Sequence, residues 1–317
     1  MIVPDASVSG APRALKERQT PRLAANVRGM LWASAAGLCF ALLNTIMRQM
    51  SLELHPMQSM FLRYSLGLAV MLPLMLRVGL GNYKTNHLRG QLWRGLVHAA
   101  GLGLWFTALP HLPLSLTTAL GFTGPIFIML GAAIFLGERM YPARWGAALI
   151  GFAGVMVIVG PRLDGGANGY YTLLMLAAAP VFAGSFLIAK WLTRYDKPTT
   201  IVAWQSLTVS VITLPFAIAV WAWPSNTQWA WFVLAGMLGS LGHWSLTRAY
   251  VVADISAAQP VKFLDLVWAA VLSYLVFGDV PAPATLIGGM VIIAATIWIA
   301  RREATQARRA RKQPVTG

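Results

Sequence analysis

The feature that most constrains this chain is a series of hydrophobic stretches, each near the length of one membrane crossing. A helix needs about 20 apolar residues to span a hydrocarbon core of ~30 Å. Because lipid offers no partners to backbone N–H and C=O groups, such stretches cross as helices. The sequence therefore predicts an all-α integral membrane protein with ten transmembrane helices. They lie near 30–47, 57–76, 92–109, 113–136, 144–160, 170–190, 200–220, 229–247, 256–277 and 284–300.

The low content of charged residues agrees with a surface that faces lipid. Charged residues make up 11% of the chain, and hydrophobic residues make up 57%. A soluble domain carries roughly 25% charged residues, because its surface must face water. Most of the chain therefore cannot have a surface that faces water.

The basic residues predict the orientation of the chain in the membrane. With ten crossings, both termini lie on one side, and this side collects 21 of the 25 Lys and Arg residues. Arg48 and Arg162 fall on the other side, while Arg63 and Lys262 fall within helices, and we expect Arg63 to extend to the outer interface. Basic loops stay in the cytoplasm, so we predict a cytoplasmic (inner) membrane protein with both termini cytoplasmic. The net charge of +15 then needs no nucleic-acid partner.

Motifs of the common enzyme classes are missing from the sequence. It has no GxxxxGK[ST] phosphate loop and no HExxH motif, and it has one cysteine, Cys39. The longest polar connection, about 77–91, leaves no room for a catalytic domain. We therefore expect no enzyme activity, no metal and no cofactor.

An internal repeat divides the hydrophobic region into two halves. Each half holds five predicted helices, an odd number, so the second half is expected to sit inverted relative to the first. The predicted segments are a disordered basic tail (1–28), two repeats (29–161 and 168–302) and a basic tail (303–317). Inverted repeats favour alternating access around a site near the midplane. At spacings of 141–142 residues, Phe40 matches Phe182, Pro56 matches Pro198, Ser115 matches Ser256, Phe122 matches Phe263 and Glu138 matches Asp279.

Two segments resemble a known family. Thr117–Pro161, with TTALGFTGPIFIMLGAAIFLGERM and GFAGVMVIVGP, is similar to the end of an EamA domain. Ala258–Glu303, with AQPVKFLDLVWAAVLSYLVFGDVPAPATLIGG, is similar to a second copy, although Asp279 stands where Glu is more usual. The order of elements resembles the drug/metabolite transporter superfamily. This resemblance implies a secondary transporter of a small polar organic metabolite, such as an amino acid derivative.

The fourth and ninth hydrophobic segments carry residues typical of a site at the midplane. Lys262 and Asp265 share one helix face at i, i+3 and can form an ion pair, which either binds solute or only braces the helix. A charge at the bilayer centre costs at least ~2.5–3.5 kcal/mol, so such groups usually serve function. Prolines remove backbone hydrogen bonds and expose carbonyls to a solute, or they kink helices for packing. The further candidates in these segments and the sixth are Thr118, Gln259, Pro125, Pro260 and Pro180.

The resemblance adds residues on helices that line the central cavity in the family. His98 and His243 are either solute ligands or hydrogen-bonded packing residues. The aromatic rings either stack on a flat or cationic solute or belong to interfacial belts. The residues of this set are Asn44, His98, Trp105, Phe122, Ser185, His243 and Trp244.

Three other functions stay open: a passive channel, a scaffold that does not transport, and a membrane-embedded enzyme that modifies lipid. The partners that we expect are the solute and the lipid bilayer. The sequence leaves open whether protons are the coupling ion and whether the protein forms a homodimer.

Overall fold

The computed structural model describes residues 22–108, 111, 120–121, 123–138, 141–159, 169–277 and 283–312. Within these ranges the chain forms helices and no strand. The helices are α1 (Arg22–Glu53), α2 (Pro56–Val78), α3 (Leu88–Ala108), α4 (Gly124–Leu136), α5 (Pro142–Val159), α6 (Gly169–Leu192), α7 (Pro198–Ala219), α8 (Asn226–Val252), α9 (Ile255–Lys262), α10 (Leu264–Phe277) and α11 (Pro283–Lys312).

These helices have the length and apolar character of membrane-spanning segments. Five stretches are long and apolar enough to cross a bilayer, and they lie in α1, α2, α6, α7 and the α9–α10 pair. Large apolar side chains point outward along the bundle, among them Phe135, which is 76% exposed, and Leu275, which is 69% exposed. Such a surface is stable against lipid and not against water. The chain is a membrane protein.

Two helices extend further than the sequence analysis predicts. Residues 22–28, assigned above to a disordered tail, form the start of α1. The last helix continues through residues 303–312, assigned above to the C-terminal tail. Both segments are rich in Ala and Arg and contain no Gly or Pro, so their intrinsic helix propensity is high.

The ninth hydrophobic segment is two helices rather than one. A turn at Phe263 separates α9 from α10, and Pro260 within α9 has no N–H to donate to the turn before it. The fourth segment is interrupted at the matching place, because Thr123 is in a turn and α4 begins at Gly124. Both segments with predicted helix breakers are therefore broken near repeat-related positions.

Pro125, predicted as a gating or kink residue, lies in the first turn of α4, directly after the turn at Thr123. The first N–H groups of a helix have no acceptor within it, so proline costs little there. Phe122 and Thr118 lie outside the described residues.

The two halves of the chain pack into one bundle. Helix α1 packs mainly on α8, and α6 packs on α3 in the corresponding way. Helices α2 and α7 pack together, as do α5 and α11, and α4 and α9.

Loops at one end of the bundle are joined through Asp196. Its carboxylate accepts hydrogen bonds from the Asn86 backbone N–H at 2.8 Å, the Thr85 hydroxyl at 2.5 Å and the Gln91 side chain at 2.8 Å. Burial raises the pKa of Asp196, but these hydrogen bonds outweigh it and hold the pKa below its ordinary value. The α2–α3 and α6–α7 connections are thereby fixed to each other.

Candidate functional site

An ion pair lies at the break between α9 and α10. Lys262 Nζ and Asp265 Oδ2 are 2.5 Å apart, and their side chains are 21% and 25% exposed. Lys262 ends α9 and Asp265 lies in the first turn of α10, so each charge also complements the dipole of its helix. The predicted i, i+3 pairing is thus present, on either side of the one-residue turn at Phe263.

Helix α1 covers this ion pair. Any Cβ at Gly37 would collide with Asp265 Oδ1, so α10 approaches α1 closely at this glycine. Asp265 Oδ1 is buried and has no hydrogen-bond partner among the described residues. Lys262 Nζ lies 5.3 Å from the centre of the Phe40 ring, also on α1.

Four polar side chains from four helices form a central cluster, defined as Tyr64, His98, Ser185 and His243. The Tyr64 hydroxyl and His98 Nε2 are 2.8 Å apart, and His98 Nδ1 lies 3.1 Å from Ser185 Oγ. The His98 and His243 rings are 5.4 Å apart between centres. Helices α2, α3 and α6 therefore meet at a buried hydrogen-bonded group, and His243 of α8 joins it through ring contacts.

Phe40 connects the ion pair to the central cluster. Its ring lies edge to face with His243 at 5.0 Å and also contacts Lys262. A continuous row of polar and aromatic side chains thus runs from α10 across α1 to α8, α3 and α6. Of the predicted site residues, the fold brings together Lys262, Asp265, His98, His243 and Ser185.

Aromatic rings border this row on α3 and α6. The Phe182 ring is 5.3 Å from His98, and the half-buried Trp105 is 6.5 Å from Phe182. Trp244 instead forms an edge-to-face pair with Trp32 at 5.4 Å and lies 5.8 Å from Arg248. Trp105 thus adjoins the site through Phe182, whereas Trp244 contacts Trp32 and Arg248.

Three predicted site residues lie apart from the central cluster. Asn44 is exposed on α1, and Pro180 is exposed within α6. Gln259 is buried, but its side-chain amide donates to the Ile255 carbonyl of its own helix at 2.8 Å. These contacts do not join any of the three to the central cluster.

Two arginines lie inside the bundle, and sequence reasoning missed both. Arg94 had been counted with a loop, yet it is 1% exposed in α3 and donates to the Ile201 carbonyl at 2.9 Å and to Gln205. Arg63, expected at the outer interface, is 9% exposed, and its guanidinium covers the Tyr64 ring at 4.4 Å. The internal repeat gave a sequence signal for a polar position inside the bundle, because the residue that matches Arg63 in the second half is Gln205.

The interior of the bundle therefore carries an excess of positive charge. Arg63, Arg94 and Lys262 lie within the described helices, and the ion pair recorded among them joins Lys262 to Asp265. In the described ranges no group of three or more His, Cys, Asp and Glu side chains could hold a metal ion.

At one end of the bundle, Glu138 holds the start of α9. Its carboxylate accepts from the backbone N–H groups of Ile255 at 2.8 Å and Ser256 at 3.0 Å, and from the Ser256 hydroxyl at 2.6 Å. The fully buried Arg144 donates to Ser256 Oγ at 2.8 Å and pairs with Asp254 at 3.1 Å. Residues of the first half thus bind the α8–α9 connection of the second half.

The end of α8 is held in the same place. Lys190 Nζ donates to the carbonyls of Tyr250 at 2.6 Å and Ala253 at 2.5 Å, and Asn26 accepts from the Asp254 N–H at 3.2 Å. We name the group formed by Asn26, Glu138, Arg144, Lys190, Asp254 and Ser256 the α8–α9 polar network. It joins α1, α5, α6 and the end of α4 around one connection.

Comparison with known families decides what this bundle is. The model of the EamA-like transporter family matches residues 27–160 and again residues 169–301. The chain belongs to the EamA-like transporter family. The resemblance noted in the sequence is confirmed, and the protein is a membrane transporter by family.

Relatives of this EamA-like transporter carry transporter names. A riboflavin transporter of Rhizobium johnstonii is 36% identical, over 89% of this chain and 94% of its own length. An S-adenosylmethionine uptake transporter of Rickettsia felis is 29% identical, over 78% of this chain and 83% of its own length. A solved crystal structure with 22% identity has a TM-score of 0.73, covering 89% of this chain and 99% of the other, and so shares the fold.

Proposed function

We propose that this protein is a secondary transporter that moves riboflavin, or a closely similar flat and uncharged heterocycle, across the cytoplasmic membrane by alternating access. The observation that carries the substrate is the 36% identity to the riboflavin transporter, which extends over nearly all of both chains. This replaces the amino acid derivative suggested by the sequence alone.

The charge of the interior favours a flavin over a sulfonium compound. S-adenosylmethionine carries a fixed positive charge, whereas the riboflavin ring is neutral at physiological pH. Arg63 and Arg94 are buried in the interior, and the recorded ion pair of Asp265 is with Lys262, so the two arginines have no carboxylate partner among the described residues. Like charges repel strongly where the effective dielectric constant is low. Half-buried rings such as Phe182 and Trp105 also suit stacking on a flat solute.

Two related halves support alternating access. The contact of α1 with α8 is equivalent by the repeat to the contact of α6 with α3. Helices α2 and α7 are repeat equivalents that pack on each other, and so are α5 and α11. Such pairing is expected of two repeats related by a two-fold axis. We place that axis in the membrane plane, since each repeat has an odd number of crossings.

The α8–α9 polar network is then the closed gate of one side. We assign this side to the cytoplasm, because the basic termini and loops lie there by the orientation rule. Opening requires Glu138 and Arg144 to release Ser256. Several charge-assisted hydrogen bonds break in that step, so the solute must help to stabilise the open state.

Transport assays with purified protein test this function. In proteoliposomes, we expect saturable uptake of radiolabelled riboflavin that unlabelled riboflavin inhibits and S-adenosylmethionine does not. Protein-free liposomes are the control. Inhibition by S-adenosylmethionine alone would contradict the substrate, and conductance without saturation would indicate a channel.

Asp265 is the candidate site for proton coupling. Its Oδ2 pairs with Lys262, while its buried Oδ1 has no partner among the described residues, so the carboxyl can take up a proton without losing other bonds. We predict that Asp265→Asn retains riboflavin exchange but loses accumulation driven by an imposed pH gradient. Asp265→Glu is the matched control. Unchanged accumulation in Asp265→Asn would remove Asp265 from coupling.

A further inference from the structure

We propose that Arg63 and His243 bind the imide edge of the flavin ring, and that this contact makes the transporter selective for solutes with adjacent carbonyl acceptors. The inference rests on the proposed function and names the residues that read the substrate. Arg63 was not among the predicted site residues. The proposed contact with the solute explains why a guanidinium is kept inside the bundle.

Arg63 is buried and forms no ion pair within the part of the chain that the structure describes. It lies in the third turn of α2, about 10 Å from the start of the helix. Its side chain is 9% exposed, and Nε is buried without a hydrogen-bond partner among the described residues. A guanidinium in this environment is costly unless a ligand supplies acceptors. The Tyr64 ring lies 4.4 Å from the guanidinium carbon and holds its orientation, while Nε is the donor that has no partner among the described residues.

His243 stands beside Arg63 with a second unpartnered atom. Arg63 packs against Gly239, which lies one turn before His243 on the same face of α8. His243 Nδ1 is buried and has no partner among the described residues. Tyr64 contacts both, with its ring 6.4 Å from that of His243. Two incomplete hydrogen-bonding groups therefore lie next to the central cluster.

The imide edge of riboflavin matches this pair chemically. It presents a carbonyl, an N–H and a second carbonyl in a row on one side of a flat ring. The guanidinium of Arg63 donates to a carbonyl in that plane. Nδ1 of His243 accepts from the imide N–H. The guanidinium makes no ion pair among the described residues, so it can be redirected to the solute without breaking one.

Glycine at position 239 gives Arg63 its place. A Cβ there would lie 3.2 Å from both Nε and Nη2 of Arg63, closer than ordinary contact. Gly239→Ala is therefore expected to displace the guanidinium while keeping its charge. This variant tests the position of Arg63 independently of its removal.

Binding measurements with two ligands test the proposal. Quenching of flavin fluorescence gives Kd for riboflavin and for riboflavin methylated on the imide nitrogen, in detergent-purified wild type, Arg63→Gln, Arg63→Lys and Gly239→Ala. Arg77→Gln is the matched control, since Arg77 is exposed in the last turn of the same helix. Thermal unfolding and gel filtration establish that each variant is folded.

We expect Arg63→Gln to weaken riboflavin binding between about tenfold and a hundredfold, as for a lost hydrogen bond to a charged group. Arg63→Lys and Gly239→Ala should weaken it several-fold, and Arg77→Gln should not change it. Methylation of the imide nitrogen removes the N–H from which His243 Nδ1 accepts, so it should weaken binding to wild type by about tenfold and by a similar factor in Arg63→Gln, where the separate carbonyl contact is lost.

The two levels of the proposal fail differently. If folded Arg63→Gln and Gly239→Ala bind riboflavin as wild type does, or if imide methylation does not weaken binding to wild type, the inference is overturned and the proposed function stands. If wild type binds neither flavin, the proposed substrate fails and the inference fails with it.

Discussion

Single charged residues in this protein behave according to their depth in the bundle. Asp196 lies between α6 and α7 and is surrounded by donors from the α2–α3 connection. Arg63 and Asp265 lie inside the helices, and each has a buried atom with no partner among the described residues. The first kind of residue stabilises the loops, and the second kind is available to a solute or a proton.

For Asp196 the expected result is a pH-dependent loss of stability. Hydrogen bonds hold its pKa below the ordinary value, so its contribution is present above that ordinary value and is lost as pH falls through the folded-state pKa. Asp196→Asn should destabilise the protein by roughly 1–3 kcal/mol at neutral pH. Thermal unfolding measured from pH 7 to pH 3 should show the gap between variant and wild type closing at low pH. A constant gap would contradict the account.

Local spacing made one part of the site predictable, and tertiary structure concealed another. The Lys262–Asp265 pair was readable because i, i+3 residues share a helix face. The contact between His98 and Ser185 joins residues 87 positions apart, so spacing could not predict it, and the family resemblance suggested only that both residues line the cavity. Phe40 and Tyr64 were missed, because an aromatic ring on an apolar helix looks the same whether it faces lipid or the interior.

The helix elements owe their arrangement to a few close approaches and helix breaks. The turn at Phe263 lies between Lys262 and Asp265, and Gly37 lets α10 approach α1 there. Pro260 and the polar residues of the ninth segment predicted a special helix but not its division. Periodicity cannot reveal that division, since both halves keep the same apolar character.

A small substitution at this approach should disturb the site. In Gly37→Ala the new methyl would collide with the Asp265 carboxylate, so we expect a lower melting temperature and a transport rate reduced by about tenfold or more. Gly146→Ala is the control, because its methyl would meet Trp298 at an ordinary 3.8 Å. Equal behaviour of the two variants in thermal unfolding and riboflavin uptake would argue against close contact at Gly37.

The α8–α9 polar network should control access from its end of the bundle. Glu138→Gln keeps the size of the side chain but removes the charge that binds Ile255 and Ser256, so the open state should gain population. Ala257, which is 0% exposed, reports this change as Ala257→Cys in a Cys39→Ala background. Maleimide labelling should become several-fold faster with Glu138→Gln.

The control for this labelling lies away from the network. Ala235 on α8 is also 0% exposed, and Ala235→Cys should label slowly with or without Glu138→Gln. Faster labelling at both sites would indicate general loosening of the bundle. No change at Ala257→Cys would mean that Glu138 does not hold this end closed.

At the scale of the whole molecule, hydrophobic length alone predicted where the helices lie. Each of the ten predicted stretches falls on a helix in the described ranges, although the fourth is described only in part. The side chains that turn inward could not be predicted in this way. Arg63 and Arg94 lie near helix ends in sequence, where snorkelling to the interface is the general rule, and only the bundle shows them directed inward.

The central claim is that two related halves carry a flavin by alternating access, and counterflow measures this most directly. Proteoliposomes loaded with unlabelled riboflavin should take up labelled riboflavin faster than empty ones, with a transient overshoot, because the carrier returns loaded. Loading with S-adenosylmethionine should give no acceleration. Uptake that is independent of internal riboflavin and does not saturate would contradict the account.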